Sequence, residues 1–424
     1  MYDVLVVGGG AAGFYTAIHI AQGRPGTNIA ILERGKEVLT KVRISGGGRC
    51  NVTHAAFDPK ELSTNYPRGE KELLGPFHQY ASGDTIGFFE ERGISLKIEE
   101  DGRMFPVSNT SQTIVDCFIS EAERLGIVVK TLAPVRGIFQ SEEKEGQWQI
   151  QLEDGMLTTK SLVLATGSNP KIWKLLEGLG HTIVPPVPSL FTFNIKDQRI
   201  SNIPGVSTYA EVQVLPKTGR TQLSKKMKME AQHLYAEGPL LVTHWGMSGP
   251  AILKLSAWGA RILEEYKHQF SIQVNWVPEY HKEGLVALFL QVKQVEKKTI
   301  LRTKVLDIPK RLWSNLVRAS GISDETTWPE VSRQQLQDLA EQLTAGVFTV
   351  NGKSTFKEEF VTAGGVDLKQ IHFKNYESKL LPHLFLAGEI INVDAITGGF
   401  NFQNAWTGGF LAAQGVLAAL DPLT

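Results

Sequence analysis

The most constraining feature of this sequence is a glycine triplet between an apolar strand and an apolar helix near the N-terminus. Residues 4–7 predict a buried strand, and Gly8, Gly10 and Gly13 follow it in the order G-x-G-x-x-G. Residues 14–21 then predict a helix, and residues 29–32 predict a second strand. A strand, a helix and a second strand in this order form a βαβ unit, which implies a parallel sheet. The expected fold class is therefore α/β, with a Rossmann-type domain.

This glycine spacing is typical of a dinucleotide-binding turn. The first glycine permits a tight turn, the second lets a pyrophosphate approach the backbone, and the third lets the helix pack on the strand. Glu33 follows Gly13 by 20 residues, where its carboxylate can accept hydrogen bonds from an adenosine ribose. The motif alone does not choose between NAD and FAD. The predicted cofactor contacts in this unit are Gly8, Gly10, Ala12, Gly13, Glu33 and Arg34.

Two later segments place small residues after predicted strands. Strand 162–164 precedes Ala165-Thr166-Gly167, and strand 384–386 precedes Ala387-Gly388-Glu389. Ligands of an open parallel sheet bind at this edge, so Glu389 is expected to bond a ribityl chain. A helix is predicted from about Ala405 to Leu420, with its positive end near Asn404 facing the pyrimidine edge of a flavin. The predicted contacts here are Ala165, Thr166, Gly167, Gly388, Glu389, Gly399, Asn401, Phe402 and Gln403.

The segment 41–53 reads Lys-Val-Arg-Ile-Ser-Gly-Gly-Gly-Arg-Cys-Asn-Val-Thr. The backbone of its small residues can approach a planar ring or a phosphate, while Arg49 and Asn51 add directional donors. The alternative is an exposed flexible loop, in which Cys50 is a small buried hydrophobe. The predicted contacts are Lys41, Ser45, Gly46, Gly47, Gly48, Arg49, Cys50, Asn51 and, from later in the chain, Val135.

The middle of the chain has a different pattern. A cluster of prolines at 185–188 marks a break, and alternation at 211–215 suggests antiparallel strands. Helical periodicity then covers 251–266, 284–293, 310–320 and 332–344 before the Rossmann pattern resumes near 361. We expect a cofactor domain of residues 1–190 and 353–424. Its insert is expected to have a barrel-like part, 191–250 with a returning strand at 346–352, and a helical part, 251–345.

Composition narrows the class of protein. The 44 basic residues balance the 44 acidic residues, which argues against a nucleic-acid partner. No stretch reads as a signal peptide or a membrane span, and the two cysteines make no C-x-x-C pair. The expectations are a cytoplasmic protein with no metal site and no membrane partner. The oligomeric state stays open.

Taken together, these segments resemble the BaiN-like family of bacterial FAD-dependent oxidoreductases, which also includes an aminoacetone oxidase. The most specific segment is Ile44–Thr53, supported by Thr243–Pro250, Val361–Val366 and Gly398–Gln403. The resemblance covers essentially the whole chain. It implies an FAD domain made from both termini, with an inserted barrel and helical domain between them.

The chain departs from the family pattern at three places. His54 stands where asparagine is usual, and Asn392 stands where aspartate is common. The glycine-rich stretch expected after Gly167 ends early at Ser168-Asn169-Pro170. That stretch lies near the active-site side of such folds, so this departure bears on the substrate rather than on the cofactor.

The expected chemistry is hydride transfer between a small organic substrate and non-covalent FAD, with NAD(P)H or oxygen in the other half-reaction. No second G-x-G-x-x-G occurs, so NAD(P)H would dock transiently. Both an NAD(P)H-linked reductase and an amine or aminoketone oxidase fit this pattern. One alternative is a flavin-binding redox sensor without rapid turnover. Another, modification of nucleic acid, is disfavoured by the zero net charge.

His244 is the one polar residue of the insert that we nominate for a catalytic role. It lies in a turn between the two predicted parts of the insert, and its unperturbed pKa suits proton transfer near neutral pH. The alternative for a lone histidine is a structural hydrogen bond. Trp245 and Met247 are expected to pack rather than to contact substrate.

Overall fold

A computed structural model describes residues 1–141, 147–216, 224–354 and 361–421. The chain divides into two compact units, Met1–Val187 with Lys357–Thr424 and Pro188–Phe356. The strands in the described residues are β1 (Tyr2–Val7), β2 (Ile29–Leu32), β3 (Thr53–His54), β4 (Leu96–Ile98), β5 (Arg103–Pro106), β6 (Val128–Lys130), β7 (Gly137–Gln140), β8 (Trp148–Gln151), β9 (Met156–Leu164), β10 (Ile183–Ser189), β11 (Thr192–Asn194), β12 (Ser207–Leu215), β13 (Tyr235–Val242), β14 (Gly246–Ser248), β15 (Gln269–Asn275), β16 (Gly346–Asn351), β17 (Lys353–Ser354), β18 (Val361–Val366), β19 (Ile371–His372), β20 (Glu377–Ser378) and β21 (Leu384–Leu386).

The helices of the same residues follow in chain order. They are α1 (Ala11–Gly23), α2 (Thr40–Gly48), α3 (Pro59–Ser63), α4 (Glu70–Gln79), α5 (Ser82–Glu90), α6 (Gln112–Arg124), α7 (Pro170–Gly178), α8 (Lys225–Gln232), α9 (Pro250–Glu265), α10 (Lys282–Val295), α11 (Lys310–Ala319), α12 (Arg333–Ala345) and α13 (Phe400–Leu420), with short 3₁₀ turns at Ile300–Arg302 and Leu368–Gln370.

The described part of the first unit is built on a nine-stranded sheet, in which the main order is β19-β20-β21-β9-β1-β2-β6. The central neighbours are parallel, with Val4 opposite both Ile29 on β2 and Ser161 on β9. β21 continues this parallel set beside β9. β2 and β21 are fully buried, and β1 and β9 are buried over their last four residues, as expected for a parallel sheet covered on both faces. The Rossmann-type fold predicted from the first 35 residues is confirmed.

Helix packing brings the two ends of the chain together in this unit. Glycine at 409 lets α13 pack tightly on α1, because a Cβ there would lie 3.0 Å from the Ala12 carbonyl oxygen. The indole of Trp406 on α13 lies 5.1 Å from the ring of Tyr15 on α1. The N-terminal motif and the C-terminal helix therefore share one core.

The second unit has a seven-stranded antiparallel sheet among its described residues, in the order β16-β15-β12-β13-β14-β11-β17. Side chains alternate between buried and exposed along β16, because one face of the sheet is covered. The four helices predicted between 251 and 344 are α9–α12, and none of their ends differs from the prediction by more than two residues.

The predicted separation of this unit into a barrel-like part and a helical part is wrong in one respect. β15 lies inside the range 251–345 yet pairs with both β12 and β16. Its period-two pattern buries Phe270, Ile272 and Val274, but it stands between two helices whose periodicity dominates the sequence. Sheet and helices therefore share one hydrophobic core.

No helix within the described ranges is long and apolar enough to span a bilayer.

Candidate functional site

The glycine turn after β1 is held tightly on two sides and is open on the third. Gly8 has φ +113°, and a Cβ there would lie 2.3 Å from the carbonyl oxygen of Ala165 after β9. A Cβ at Gly13 would lie 2.0 Å from the Gly8 carbonyl oxygen. At Gly10, by contrast, a Cβ would meet no atom within 4 Å. The two outer glycines are required for packing, while the middle one borders free space that a pyrophosphate can fill.

The start of α1 faces this turn. Gly10 is its N-cap residue, and the N–H of Phe14 is the first to bond back, to the Gly10 carbonyl at 3.1 Å. The preceding N–H groups of residues 11–13 have no acceptor within the helix. They carry the positive end of the helix dipole, which favours phosphate.

Glu33 is fixed beside the same turn. One carboxylate oxygen accepts the Gly9 N–H at 2.9 Å, and the other accepts the Gly35 N–H at 2.7 Å. A carboxylate has about four lone-pair sites, so both oxygens keep capacity for ribose hydroxyls. The segment with Val135 lies next to this position, because the Ala133 N–H bonds the Glu33 carbonyl at 2.8 Å. Arg34 is exposed.

The ends of β9 and β21 meet at the same edge of the sheet. A Cβ at Gly167 would lie 3.7 Å from a carboxylate oxygen of Glu389, and one at Gly388 would lie 3.1 Å from the Cβ of Ala12. Lys41 on α2 forms an ion pair with Glu389. The structure therefore brings four separate predicted segments to one place. Thr166 lies between Ala165 and Gly167 and is half-buried.

The expected glycine-rich stretch after Gly167 is replaced by a helix start. Asn169 caps α7 by accepting the Lys171 N–H at 3.1 Å, and Pro170 occupies the first helical position. The residues after Gly167 therefore start α7 instead of continuing a glycine-rich loop.

The second glycine loop interrupts α2. The backbone leaves the helical conformation at Ser45, and Gly46, Gly47 and Gly48 have φ values of +57°, +67° and +82°. All three glycines are exposed, and a Cβ at Gly47 or Gly48 would meet no atom within 4 Å. This backbone-lined surface has room for a planar ring.

The C-terminal helix begins earlier than predicted. Its first residue is Phe400 rather than Ala405, so its positive end lies at residues 400–402 rather than near Asn404. This start is hard to recognise in the sequence, because Gly398, Gly399 and the polar residues after them are typical of a loop. Gly399 is the N-cap with φ +95°, and a Cβ there would lie 2.5 Å from the Thr53 carbonyl oxygen.

Several predicted contact residues use their side chains inside the protein. Gln403 is fully buried, accepts hydrogen bonds from Thr53 at 2.6 Å and Thr85 at 3.0 Å, and donates to Thr407 at 3.1 Å. Asn401 exchanges two hydrogen bonds with the backbone of Ala395. These side chains hold the start of α13, so any contact to a ligand would come from the backbone.

The polar residues after the second glycine loop are also engaged. Arg49 pairs with Glu99 at 2.6 Å and lies over the Phe105 ring at 3.9 Å. The Asn51 side-chain amide is oriented so that its nitrogen and its oxygen both have partners. The nitrogen donates to the Thr53 carbonyl at 3.0 Å, and the oxygen accepts from the Gly399 N–H at 3.0 Å. The amide therefore ties this loop to α13.

Cys50 and Phe402 complete this set. Burial raises the pKa of the Cys50 thiol to about 12, so the thiol is a packed hydrophobe rather than a nucleophile. Phe402 stacks on Trp406 with ring centroids 5.6 Å apart.

Sequence reasoning did not assign His54 to the site. Its ring stacks on Phe400 at 4.5 Å, and its Nε2 lies 3.1 Å from the Asp101 carbonyl oxygen. Burial lowers the pKa of His54, which keeps the ring neutral. The feature of the sequence that could have drawn attention to His54 is the departure from the family pattern, which usually has asparagine at this position.

His244 belongs to the second unit, in the exposed turn between β13 and β14. The expectation that Trp245 packs is wrong, because 62% of Trp245 is exposed. Met247 on β14 is fully buried, as expected. The catalytic role of His244 stays a prediction.

Within the described ranges, no group of three or more histidine, cysteine, aspartate or glutamate residues is arranged to hold a metal ion. The residues present do fit FAD. Open space borders Gly10, Gly47 and Gly48, the start of α1 offers unbonded N–H groups, and Glu33 keeps acceptor capacity beside the first turn.

Comparison with known proteins also indicates a Rossmann-type protein. The family described as "HI0933-like protein Rossmann domain" matches residues 2–415. A ribosomal RNA dihydrouridine synthase of Haemophilus influenzae is 28% identical, covering 97% of this chain and 98% of the relative. A protein of the same name from Escherichia coli is 26% identical, covering 99% and 98%. A 3-dehydro-bile acid delta(4,6)-reductase of Clostridium scindens is 27% identical, covering 98% of each.

The family match extends over nearly the whole chain, and the structure shows the Rossmann-type domain with the open glycine-lined edge that an FAD site requires. The chain therefore belongs to the HI0933-like Rossmann family and is an FAD-dependent oxidoreductase.

Proposed function

We propose that this chain reduces a carbon–carbon double bond that is conjugated to a carbonyl group, with NADH or NADPH as the source of electrons. The observation that carries the proposal is the open, glycine-lined edge of the first unit, where residues at Gly10, Gly47 and Gly48 leave room for a flavin nucleotide. The activities named for the three relatives supply the reaction type.

All three named activities concern a carbon–carbon double bond next to a carbonyl group. Dihydrouridine differs from uridine by saturation of a ring double bond next to a carbonyl, and a 3-oxo steroid with a delta-4 bond has the same conjugation. When bound, reduced FAD would supply the hydride for the carbon remote from the carbonyl, with NAD(P)H as the source of its electrons, and a proton would add to the neighbouring carbon. The double bond of the substrate would thereby become single.

The chain's own residues bind and orient the cofactor in this proposal. The N–H groups at the start of α1 bind the pyrophosphate beside Gly10, and Glu33 accepts hydrogen bonds from the adenosine ribose. The start of α13 at residues 400–402 favours negative charge on the pyrimidine side of the ring. The FAD is held without a covalent bond, since the buried Cys50 thiol is not nucleophilic.

The substrate class follows from the same comparison. A small conjugated carbonyl compound is the first candidate, and the zero net charge of the chain agrees with it. Uracil within RNA is the second candidate, favoured by the names of two relatives. We keep the cytoplasm as the proposed compartment.

Anaerobic mixing experiments test the proposal. Holoprotein reduced by NADH or NADPH is mixed with a steroid 4-en-3-one, with uridine, with a uridine-containing RNA, and with a saturated ketone as the control. We expect rapid return of the flavin absorbance with at least one conjugated substrate and none with the saturated ketone. Reduction of the flavin by aminoacetone alone, without response to any conjugated compound, would instead support an aminoketone oxidase. No turnover with any compound would favour a redox sensor.

A further inference from the structure

A buried ion pair lies between the loop 64–69, which joins α3 to α4, and the loop 387–399, which joins β21 to α13. The Nε and Nη2 atoms of Arg68 donate to the two carboxylate oxygens of Asp394, so the pair is bidentate. The Asp394 side chain is fully buried, and only 14% of the Arg68 side chain is exposed. Both residues belong to the first unit, and neither is among the residues that we assign to direct contact with FAD.

Two further contacts join the same two regions of the chain. The Ile396 N–H bonds the Asn65 carbonyl at 3.0 Å. The buried Tyr66 hydroxyl donates to the carbonyl of Phe400, the first residue of α13, at 2.5 Å. Residues 65–68 therefore hold the segment 394–400 at three separate points.

The start of α13 is tied directly to the loop that carries Asp394. Asn401, in the first turn of the helix, accepts the Ala395 N–H at 3.0 Å and donates to the Ala395 carbonyl at 3.2 Å. Because Ala395 follows Asp394 in the chain, a displacement of Asp394 would also displace the first helical turn. The position of the N–H groups at residues 400–402 thus depends on where Arg68 holds the Asp394 carboxylate.

The energetics of a buried ion pair favour a positioning role over a stabilising one. Burying two charges costs about as much free energy as their attraction returns, so apolar residues of similar volume can replace such a pair with little loss of stability. Apolar side chains, however, lack the planar fork with which a guanidinium fixes the direction of a carboxylate. A fixed geometry is therefore what Arg68 and Asp394 contribute to this loop.

We propose that Arg68 and Asp394 are positioning residues, which hold the start of α13 where its positive end stabilises the reduced flavin. The proposal rests on the proposed function, in which residues 400–402 lie on the pyrimidine side of the ring. Reduction adds negative charge on that side, so accurate placement of the helix start strengthens the binding of reduced FAD more than that of oxidised FAD. The ion pair thereby raises the reduction potential of the bound flavin.

Two variants separate positioning from stability. Arg68→Lys keeps the positive charge but loses the bidentate fork. Arg68→Met combined with Asp394→Leu removes both charges, so no unpaired charge is left in the interior. We measure the thermal unfolding of the apoproteins and the flavin reduction potential of the holoproteins against a reference dye. Arg318→Lys is the matched control, because Arg318 forms an exposed bidentate pair with Asp324 in the second unit.

Both variants should lower the reduction potential by about 30 mV, which corresponds to about a tenfold loss in the preference for reduced over oxidised FAD in a two-electron couple. Neither variant changes the net charge of the pair, so a lower potential reports the position of the helix rather than the charge beside it. The double variant should unfold near the native temperature, and Arg318→Lys should keep the native potential.

An unchanged or raised potential in either folded variant would overturn the proposal, because the pair would then be only a structural contact. If the double variant does not fold, the potential of Arg68→Lys decides alone. These measurements use neither substrate nor NAD(P)H, whereas the proposed reaction is tested by mixing with conjugated substrates. Failure of either idea is therefore recognisable on its own.

Discussion

The two units present their candidate sites in opposite ways. In the first unit, open space borders Gly10 in the turn after β1 and Gly47 and Gly48 in the loop that interrupts α2, because a Cβ at any of the three would meet no atom within 4 Å. In the second unit, the turn 243–246 is closed by backbone hydrogen bonds and projects His244 and Trp245 outward. The first site would bind a ligand with backbone groups, and the second with side chains.

This difference shows why a backbone-lined site is easier to recognise in a sequence than a site built from side chains. A backbone-lined site needs glycine at fixed spacings, because any Cβ would fill the space or strain the turn. A side-chain site has no such spacing, since its residues come from segments that meet only in the fold. Each prediction below tests one side of this contrast.

The largest effect is expected from Gly13→Val. The added Cβ would lie within 2.0 Å of the Gly8 carbonyl oxygen, so α1 cannot pack on β1. We expect little folded protein, or a loss of more than about 4 kcal/mol in the free energy of unfolding measured by urea denaturation. Gly83→Ala on α5 is the control, because its Cβ meets no atom within 4 Å. Native-like stability of Gly13→Val would show that this glycine is not a packing residue.

The next effect concerns His244→Ala. If His244 transfers a proton, flavin reoxidation by the substrate should slow about 10²-fold, while the flavin spectrum stays unchanged because the residue lies outside the first unit. Stopped-flow rates and steady-state KM separate the roles. A higher KM with unchanged kcat would assign His244 to substrate binding alone.

Glu33→Ala should have a smaller effect, confined to the cofactor. Loss of the carboxylate removes the ribose acceptor and the bonds to Gly9 and Gly35. FAD binding should weaken by about 1–3 kcal/mol in calorimetric titration of the apoprotein. Glu33→Gln keeps one acceptor oxygen and should lose less. Unchanged affinity in both variants would remove Glu33 from the site.

The smallest effect is expected from thiol reagents. Burial raises the pKa of Cys50 to about 12 and that of Cys117 to about 11, so both thiols stay protonated at pH 8. Iodoacetamide should label neither cysteine in the native protein and both after unfolding, as read by mass spectrometry. Rapid labelling of native Cys50 would show that the second glycine loop exposes a reactive thiol.

The first unit could be predicted further from the sequence than the second. The βαβ pattern and the strands before Ala165 and Ala387 identified the sheet and its edge, because buried parallel strands read as continuous apolar runs. The start of α13 could not be located, since the need for glycine at its N-cap, residue 399, comes from the close approach of the Thr53 carbonyl, which belongs to a distant segment. The structural use of Gln403 was hidden for the same reason, because its partners come from distant segments.

The second unit was harder to predict from the sequence, because its informative residues lie on antiparallel strands with an alternating pattern and in a short turn. β15 was missed between two helices, and Trp245 was expected to pack. Hydrophobic residue type predicts burial on average, but a tight turn can hold a large side chain in water. The cavity of this unit forms where the segment 195–201 meets the turn 243–246, and no local spacing in the sequence encodes that meeting.

The cofactor content of Gly10→Val tests the central claim most directly. Gly10 has an extended backbone, and its Cβ would meet no atom within 4 Å, so valine fits the protein but fills the space assigned to the pyrophosphate. We measure the ratio of FAD to protein after reconstitution, alongside circular dichroism and thermal unfolding of the apoproteins. We expect a folded protein that does not bind FAD, whereas native FAD content in folded Gly10→Val would contradict the assignment of this turn to the pyrophosphate.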